Sequence, residues 1–131
     1  MNALIDTNIL SELVKPQPNA EVSAWVSQQT NFYLSVISLE ELHYGLRWKP
    51  NARVQAWLER FIRQHCQLLD VSEVVARYAG TLRGALQQQG ETRSQADMLI
   101  AATAHTHDLT LVTRNEKDFT GCGVTVFNPF S

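Results

Sequence analysis

The sequence has no apolar run able to cross a bilayer: the stretches around Val36-Ile37 and from Met98 to Ala102 fall far short of the roughly 18 to 20 residues a span needs. No basic flank leads into an apolar stretch at the amino terminus, and Asp6 interrupts the first hydrophobic segment, so no secretory signal is read and the expected compartment is the cytoplasm. Cysteine is scarce. Cys66 and Cys122 lie far apart with no C-x-x-C or Cys/His ligand spacing, which argues against a disulfide framework and for two unpaired thiols in a reducing compartment. Internal repeats, low-complexity tracts and linker-like runs of Gly, Ser and Pro are also missing, so one domain over residues 1–131 is expected. What is present is an ordinary globular composition, 44% hydrophobic and 18% charged. A chain of 131 residues buries roughly two-thirds of the surface that its unfolded state exposes, enough for a core without structural zinc or disulfides.

A formal net charge of −2 conceals an uneven distribution. Residues 1–46 carry Lys15 against Asp6, Glu12, Glu21, Glu40 and Glu41, a balance of −4. Residues 47–93 hold Arg47, Lys49, Arg53, Arg60, Arg63, Arg77, Arg83 and Arg93 against Glu59, Asp70, Glu73 and Glu91, a balance of +4, and residues 94–131 return to −2. Acidic ends flank a basic middle in which seven of eight cations are arginine, whose planar fork suits phosphates and stacked bases. Any one of them serves equally well on a solvated helix face.

Ala3-Leu4-Ile5 reads as a short strand, and Asp6-Thr7-Asn8 as the polar cap of a helix that Pro16 and Pro18 end. Val22, Trp25 and Val26 recur at helical spacing in a second helix. Phe32 to Ile37 is β-branched and aromatic and reads as a buried strand, with helix resuming after Ser38. Between Asn51 and His65 the apolar positions Val54, Trp57, Leu58, Phe61 and Ile62 define an amphipathic helix. A strand at Leu68–Val71 and a helix from about Val74 to Gly90 follow, then a helix from Ser94 to about His107. Leu109–Thr113 and Val124–Phe127 read as strands separated by a helical turn at Glu116–Phe119. This alternation predicts an α/β fold with a mainly parallel sheet covered on both faces, a three-layer α/β/α sandwich.

In such sheets ligands bind beyond the carboxyl ends of the strands. Asp6 follows the first strand, Ser38-Leu39-Glu40-Glu41 the second, and Arg114-Asn115-Glu116-Lys117-Asp118 the strand at Leu109–Thr113, while Asp97 lies in the first turn of the helix at Ser94. Capping explains each acid singly: Ser38-x-x-Glu41, Ser94-x-x-Asp97 and Thr113-x-x-Glu116 all have capping-box spacing. It does not explain why Asp6 and Asp97 adjoin apolar segments. Carboxylates gathered at the rim of a core repel one another unless a cation neutralises them. The donors are all oxygen, which favours Mg²⁺ or Mn²⁺ over Zn²⁺ and points to phosphodiester hydrolysis. Thr7, Asn8, Ser38, Thr113 and Asn115 are candidates to orient those acids by hydrogen bonds, or are simply caps.

Four segments carry a further signal: Leu4-Ile5-Asp6-Thr7-Asn8; Ser35-Val36-Ile37-Ser38-Leu39-Glu40-Glu41-Leu42 with Gly45; Asp97-Met98-Leu99-Ile100-Ala101-Ala102-Thr103-Ala104; and Leu111-Val112-Thr113-Arg114-Asn115 with Asp118-Phe119. In this order they resemble the motifs of PIN-domain ribonucleases, specifically the VapC-type toxins of bacterial toxin–antitoxin pairs, over nearly the whole chain. The ending Val126-Phe127-Asn128-Pro129 is similar to the FitB-like branch. The resemblance implies that Asp6, Glu41 and Asp97 bind the metal, with Glu40 at a position where the family often has a small residue. It places the fourth acid at the position of Asn115 or of Asp118, of which only Asp118 is a carboxylate; either Asp118 binds metal or Asn115 positions a water. It further implies Mg²⁺-dependent endoribonuclease activity, a homodimer, and inhibition by a cognate antitoxin through which the chain meets promoter DNA.

Among other residues, His105 and His107 are two apart and point to different helix faces, so they do not chelate as a pair. His43 reads as a surface or dimer-contact residue. Trp25 and Trp57 fall on apolar stripes, whereas Tyr44 and Trp48, near an expected break at Gly45, either pack a partner helix or stack on RNA bases. Arg93 and Arg114 are the candidates for phosphate contacts, with Arg114 alternatively pairing with a site carboxylate. Two other readings remain: a PIN-like module without catalysis that binds RNA or protein, and a phosphoacceptor signalling domain. The second wants a paired acid beside Asp6 and a lysine after a late strand, for which Lys117 is a poor substitute.

Overall fold

A computed structural model of the chain describes residues 1–130; Ser131, the last residue of the expected domain, lies outside them. Strands β1 (Ala3–Ile5), β2 (Phe32–Ser35), β3 (Cys66–Leu69), β4 (Thr110–Val112) and β5 (Val126–Phe127) form one sheet in the order β3-β2-β1-β4-β5, and every pairing is parallel. Helices α1 (Thr7–Leu13), α2 (Ala20–Ser27), α3 (Val36–Trp48), α4 (Ala52–His65), α5 (Glu73–Gln88) and α6 (Gln95–Thr106) surround it, with a 3-10 turn at Glu116–Phe119.

The core divides by residue parity, because successive strand side chains point to opposite faces. Leu4 of β1 and Leu111 of β4 join Val75 and Ala79 of α5 and Met98 and Ile100 of α6. Ala3, Ile5 and Val112 join Ile9, Val22, Trp25, Leu42 and Leu58 from the helices α1 to α4. Strands buried on both faces must be apolar throughout, which is why these segments read as continuous hydrophobic runs. The expected three-layer α/β/α sandwich is the observed one.

Boundaries differ where a cap or a helix overrides local preference. β2 stops at Ser35 instead of reaching Ile37, because Ser35 keeps extended dihedrals and its Oγ accepts from the Ile37 amide at 3.0 Å, starting α3 at Val36. The expected restart after Ser38 therefore comes one turn early, and α3 runs through Gly45 without a break. β3 begins at Cys66 rather than Leu68 because α4 passes directly into it. Past the end of α5, Gly90 has φ +81, the left-handed geometry that suits glycine after a helix.

The short helices α1 and α2 are tied across Pro16 and Pro18 by buried Glu12. Its Oε1 meets Lys15 Nζ at 2.9 Å and its Oε2 accepts from the Asn19 amide at 2.8 Å. These bonds, that to Lys15 foremost, hold its carboxyl below the usual range. Both cysteines are free thiols, and burial pushes Cys66 up to about 12. Among the described residues no helix is long and apolar enough to cross a membrane.

Candidate active site

The sheet order makes β1 the point from which successive strands are added in opposite directions, with β2 and β3 on one side and β4 and β5 on the other. Ligand crevices of open parallel sheets form at such a point. Asp6 is the first residue beyond β1, and its amide still donates to Val112 O at 2.9 Å, so its backbone is fixed by the sheet. Its Oδ1 accepts from the Thr7 amide at 2.8 Å, capping α1. Its Oδ2 accepts from Thr113 Oγ1 at 2.8 Å and from Asn8 Nδ2 at 3.3 Å. Thr113 Oγ1 in turn accepts from the Asn115 amide at 3.0 Å, and Asn8 Oδ1 accepts from the Arg114 amide at 3.2 Å. The first and fourth motifs are thus knitted through one carboxylate, which both caps a helix and anchors the site.

Glu41 joins from α3. Thr7 Oγ1 donates to Glu41 Oε1 at 2.6 Å, and Glu41 is half-buried while Glu40 faces solvent. Asp97 occupies the first turn of α6, where Ser94 Oγ accepts from its amide at 3.0 Å as its spacing predicts. Asp118 lies exposed on the 3-10 turn.

The carboxylates sense one another. Burial pushes Asp6 up to about 6, against hydrogen bonds from Thr113 and Thr7, and the charges of Asp97 and Glu41 push it further. Burial also raises Asp97; the Ser94 bond opposes this, Asp118 and Glu41 reinforce it, and Arg93 counteracts it. The four acids thus share one electrostatic neighbourhood, and among the described residues no Lys or Arg forms an ion pair with any of them. An unpaired, all-oxygen donor set gathered around buried Asp6 fits a hard divalent cation. Among the described residues no three acidic, histidine or cysteine side chains close into a ligand cluster.

Other expectations change. Ser38 neither caps α3 nor orients an acid: it is fully buried, and its Oγ has no hydrogen-bond partner among the described residues. The Thr113-x-x-Glu116 box does not form, because Glu116 Oε2 instead accepts from Asn128 Nδ2 at 3.1 Å. Arg93 is not a free phosphate contact; its side chain, 10% exposed, donates to the carbonyls of Asp118 at 2.7 Å and Thr120 at 2.9 Å. Arg114 pairs with no site carboxylate and lies over the Phe130 ring at 4.9 Å, at the exposed edge of the site. Trp25 is buried, Trp57 stacks on Phe61, and Tyr44 and Trp48 are 65% and 70% exposed. His105 stacks on Tyr78 and touches no acid of the site. Sequence reasoning missed the bracing of Arg114 and Glu116 by Asn128 and Phe130, since nothing local to the carboxyl terminus signals partners on the site loop.

Two openings flank the acids: a groove of about 280 Å³ lined in part by Thr7, Glu41, Gly45 and Lys49, and a shallow cleft of about 340 Å³ over Arg114–Asp118. A larger cavity, about 450 Å³, sits at the amino ends of β1, β2 and β3, where no carboxylate lines it.

Comparison with known proteins agrees with this geometry. The PIN domain model matches residues 3–120. Toxin FitB of Neisseria gonorrhoeae is 35% identical, covering 97% of both chains, and VapC ribonuclease Y4jK of Sinorhizobium fredii is 29% identical, covering 97% of this chain and 96% of the relative. The fold superposes on the crystal structure of FitAcB from Neisseria gonorrhoeae with a TM-score of 0.83 at 35% identity, covering 97% of each chain. Against VapBC2 of Rickettsia felis, solved bound to a DNA fragment from its promoter, the TM-score is 0.86 at 28% identity, covering 98% of each chain. With its four motifs meeting at one edge of the sheet, the chain belongs to the PIN-domain family, within the VapC-type toxins that include FitB.

Proposed function

We propose that this chain is a divalent-metal-dependent endoribonuclease and the toxin of a toxin–antitoxin pair, held inactive by a cognate antitoxin. The observation that carries the reading is buried Asp6 at the point where the strand order of the sheet reverses, hydrogen-bonded on both oxygens and repelled by neighbouring acids. Asp6, Glu41, Asp97 and Asp118 would hold Mg²⁺ or Mn²⁺. The bound ion supplies Lewis-acid polarisation of the phosphodiester and charge compensation for the leaving oxygen. The chain's own residues supply orientation. Thr113 and Asn8 fix the Asp6 carboxylate, Thr7 aims Glu41, and Thr113 also holds the Asn115 amide. Arg114, braced by Phe130 at the rim, meets an RNA phosphate.

Relatives of this fold were solved as toxin–antitoxin complexes, some on promoter DNA, which supports an antitoxin as the partner and a contact with DNA only through it. The chain acts in the cytoplasm as a homodimer, so sedimentation should give twice the chain mass. Induced expression should arrest growth, Asp6→Asn should not, and co-expression of the small partner encoded beside the gene should restore growth. Unimpeded growth with soluble wild-type protein contradicts the toxin reading.

A further inference from the structure

The loop that bears Asp118 is held at its start by Thr113 Oγ1, which accepts from the Asn115 amide at 3.0 Å, and by Asn128 Nδ2, which donates to Glu116 Oε2 at 3.1 Å. It is a single 3-10 turn anchored by buried Phe119, and its Asn115 cap makes no side-chain hydrogen bond. Farther along, the segment is held by α5 and α6: Tyr78 Oη donates to Cys122 O at 3.3 Å, and His105 Nδ1 lies 3.2 Å from Gly123 O. Those contacts leave the Asp118 end untouched. There one side chain reaches in from the loop between α5 and α6. Arg93 Nη1 donates to Asp118 O at 2.7 Å, its Nη2 donates to Thr120 O at 2.9 Å, and Nη1 also approaches Cys122 Sγ at 3.6 Å. With 10% of its side chain exposed and Glu91 Oε1 at 3.7 Å, the guanidinium is committed to this loop. A planar fork is the group that can bind two carbonyls separated by one residue at the same time; an ammonium is a single point charge and an apolar side chain binds neither.

We propose that Arg93 is a positioning residue of the active site, acting through the Asp118 and Thr120 carbonyls to hold the Asp118 carboxylate in register with Asp97 and Asp6. The role rests on Asp118 belonging to the site. A displacement of about 1 Å in such a group costs up to a hundredfold in rate, so the effect should fall on turnover rather than on RNA binding.

The test compares Arg93→Met, Arg93→Lys, Asp118→Asn and the double variant Arg93→Met/Asp118→Asn in Mg²⁺-dependent RNA cleavage, with amide hydrogen exchange of the metal-free proteins alongside. Tyr78→Phe, a lesion at the far end of the same segment, serves as the control. The expected result is a kcat at least tenfold lower in Arg93→Met with KM for RNA unchanged, partial recovery in Arg93→Lys, and wild-type turnover in Tyr78→Phe. The double variant should be no more than twofold slower than Asp118→Asn, because a positioning residue has nothing left to position. Exchange should accelerate over residues 115–121 in both Arg93 variants and stay unchanged in the central strands. Should Arg93→Met fail to fold, Arg93→Lys decides, with an expected threefold loss of kcat and the same local exchange signature. Wild-type turnover in the Arg93 variants beside an impaired Asp118→Asn, or fully additive losses in the double variant, overturns the proposal alone. Full activity in Asp118→Asn overturns the assignment of Asp118 and the proposal with it.

Discussion

Asp6 concentrates the chemistry of the molecule at the residue scale. Its carboxyl titrates near 6 in the fold against 3.8 ordinarily, so the folded chain keeps a proton that the unfolded chain has already released between those values. The contribution of Asp6 to metal-free stability is therefore fullest below about pH 4 and is lost as pH rises through 6, the opposite of a salt-bridged aspartate. Replacing the charge should relieve this. Asp6→Asn is expected to abolish cleavage yet raise metal-free stability at pH 7.5 by about 1 to 3 kcal/mol, readable by urea denaturation. A divalent ion should stabilise the wild type and not the variant. Thr113 works the other way, since its hydroxyl favours the ionised Asp6 while also bonding Asn8 and the Asn115 amide. Thr113→Val should cost about 1 to 3 kcal/mol and move the acidic limb of the pH–rate profile upward. A limb unmoved by that substitution separates Thr113 from the titration of Asp6.

Elements were legible where local signals and tertiary demands coincide. β1 and α6 follow directly from Ala3-Leu4-Ile5 and from Ser94-x-x-Asp97, because strand, cap and acid are neighbours in sequence. The sequence extends β2 to Ile37 because Val36 and Ile37 are β-branched, and that preference yields to the capping bond that Ser35 Oγ accepts from the Ile37 amide. The helix starts one turn before the sequence suggests, which moves a cap from Ser38 to Ser35 and leaves Glu41 on α3. Ser35→Ala should destabilise the fold by about 1 kcal/mol, measured as a lowered denaturation midpoint with the m-value unchanged; no change would dissociate the start of α3 from its cap. The partners of Arg93 and Asn128 were illegible, since a guanidinium bonding carbonyls 25 residues away leaves no periodicity or motif behind.

At the scale of the whole molecule, the parallel sheet converts four distant motifs into one acidic edge. Sheet order puts β1 between β2 and β4, so the segments after these strands meet, and α6 brings Asp97 to the same edge. Folding forces like charges together there, and a divalent cation is the group that reconciles them. The chain's net charge says nothing of this, because the acids are local and most of the arginines lie on other segments. On the proposed function, this edge cleaves RNA with a metal. The direct test is incubation of a mixed small-RNA pool with purified protein in Mg²⁺ or Mn²⁺, beside EDTA and Asp6→Asn controls. Discrete fragments that require both the metal and Asp6 are predicted. Fragments that persist in EDTA or with Asp6→Asn, or intact RNA throughout with metal shown to bind, would contradict the account.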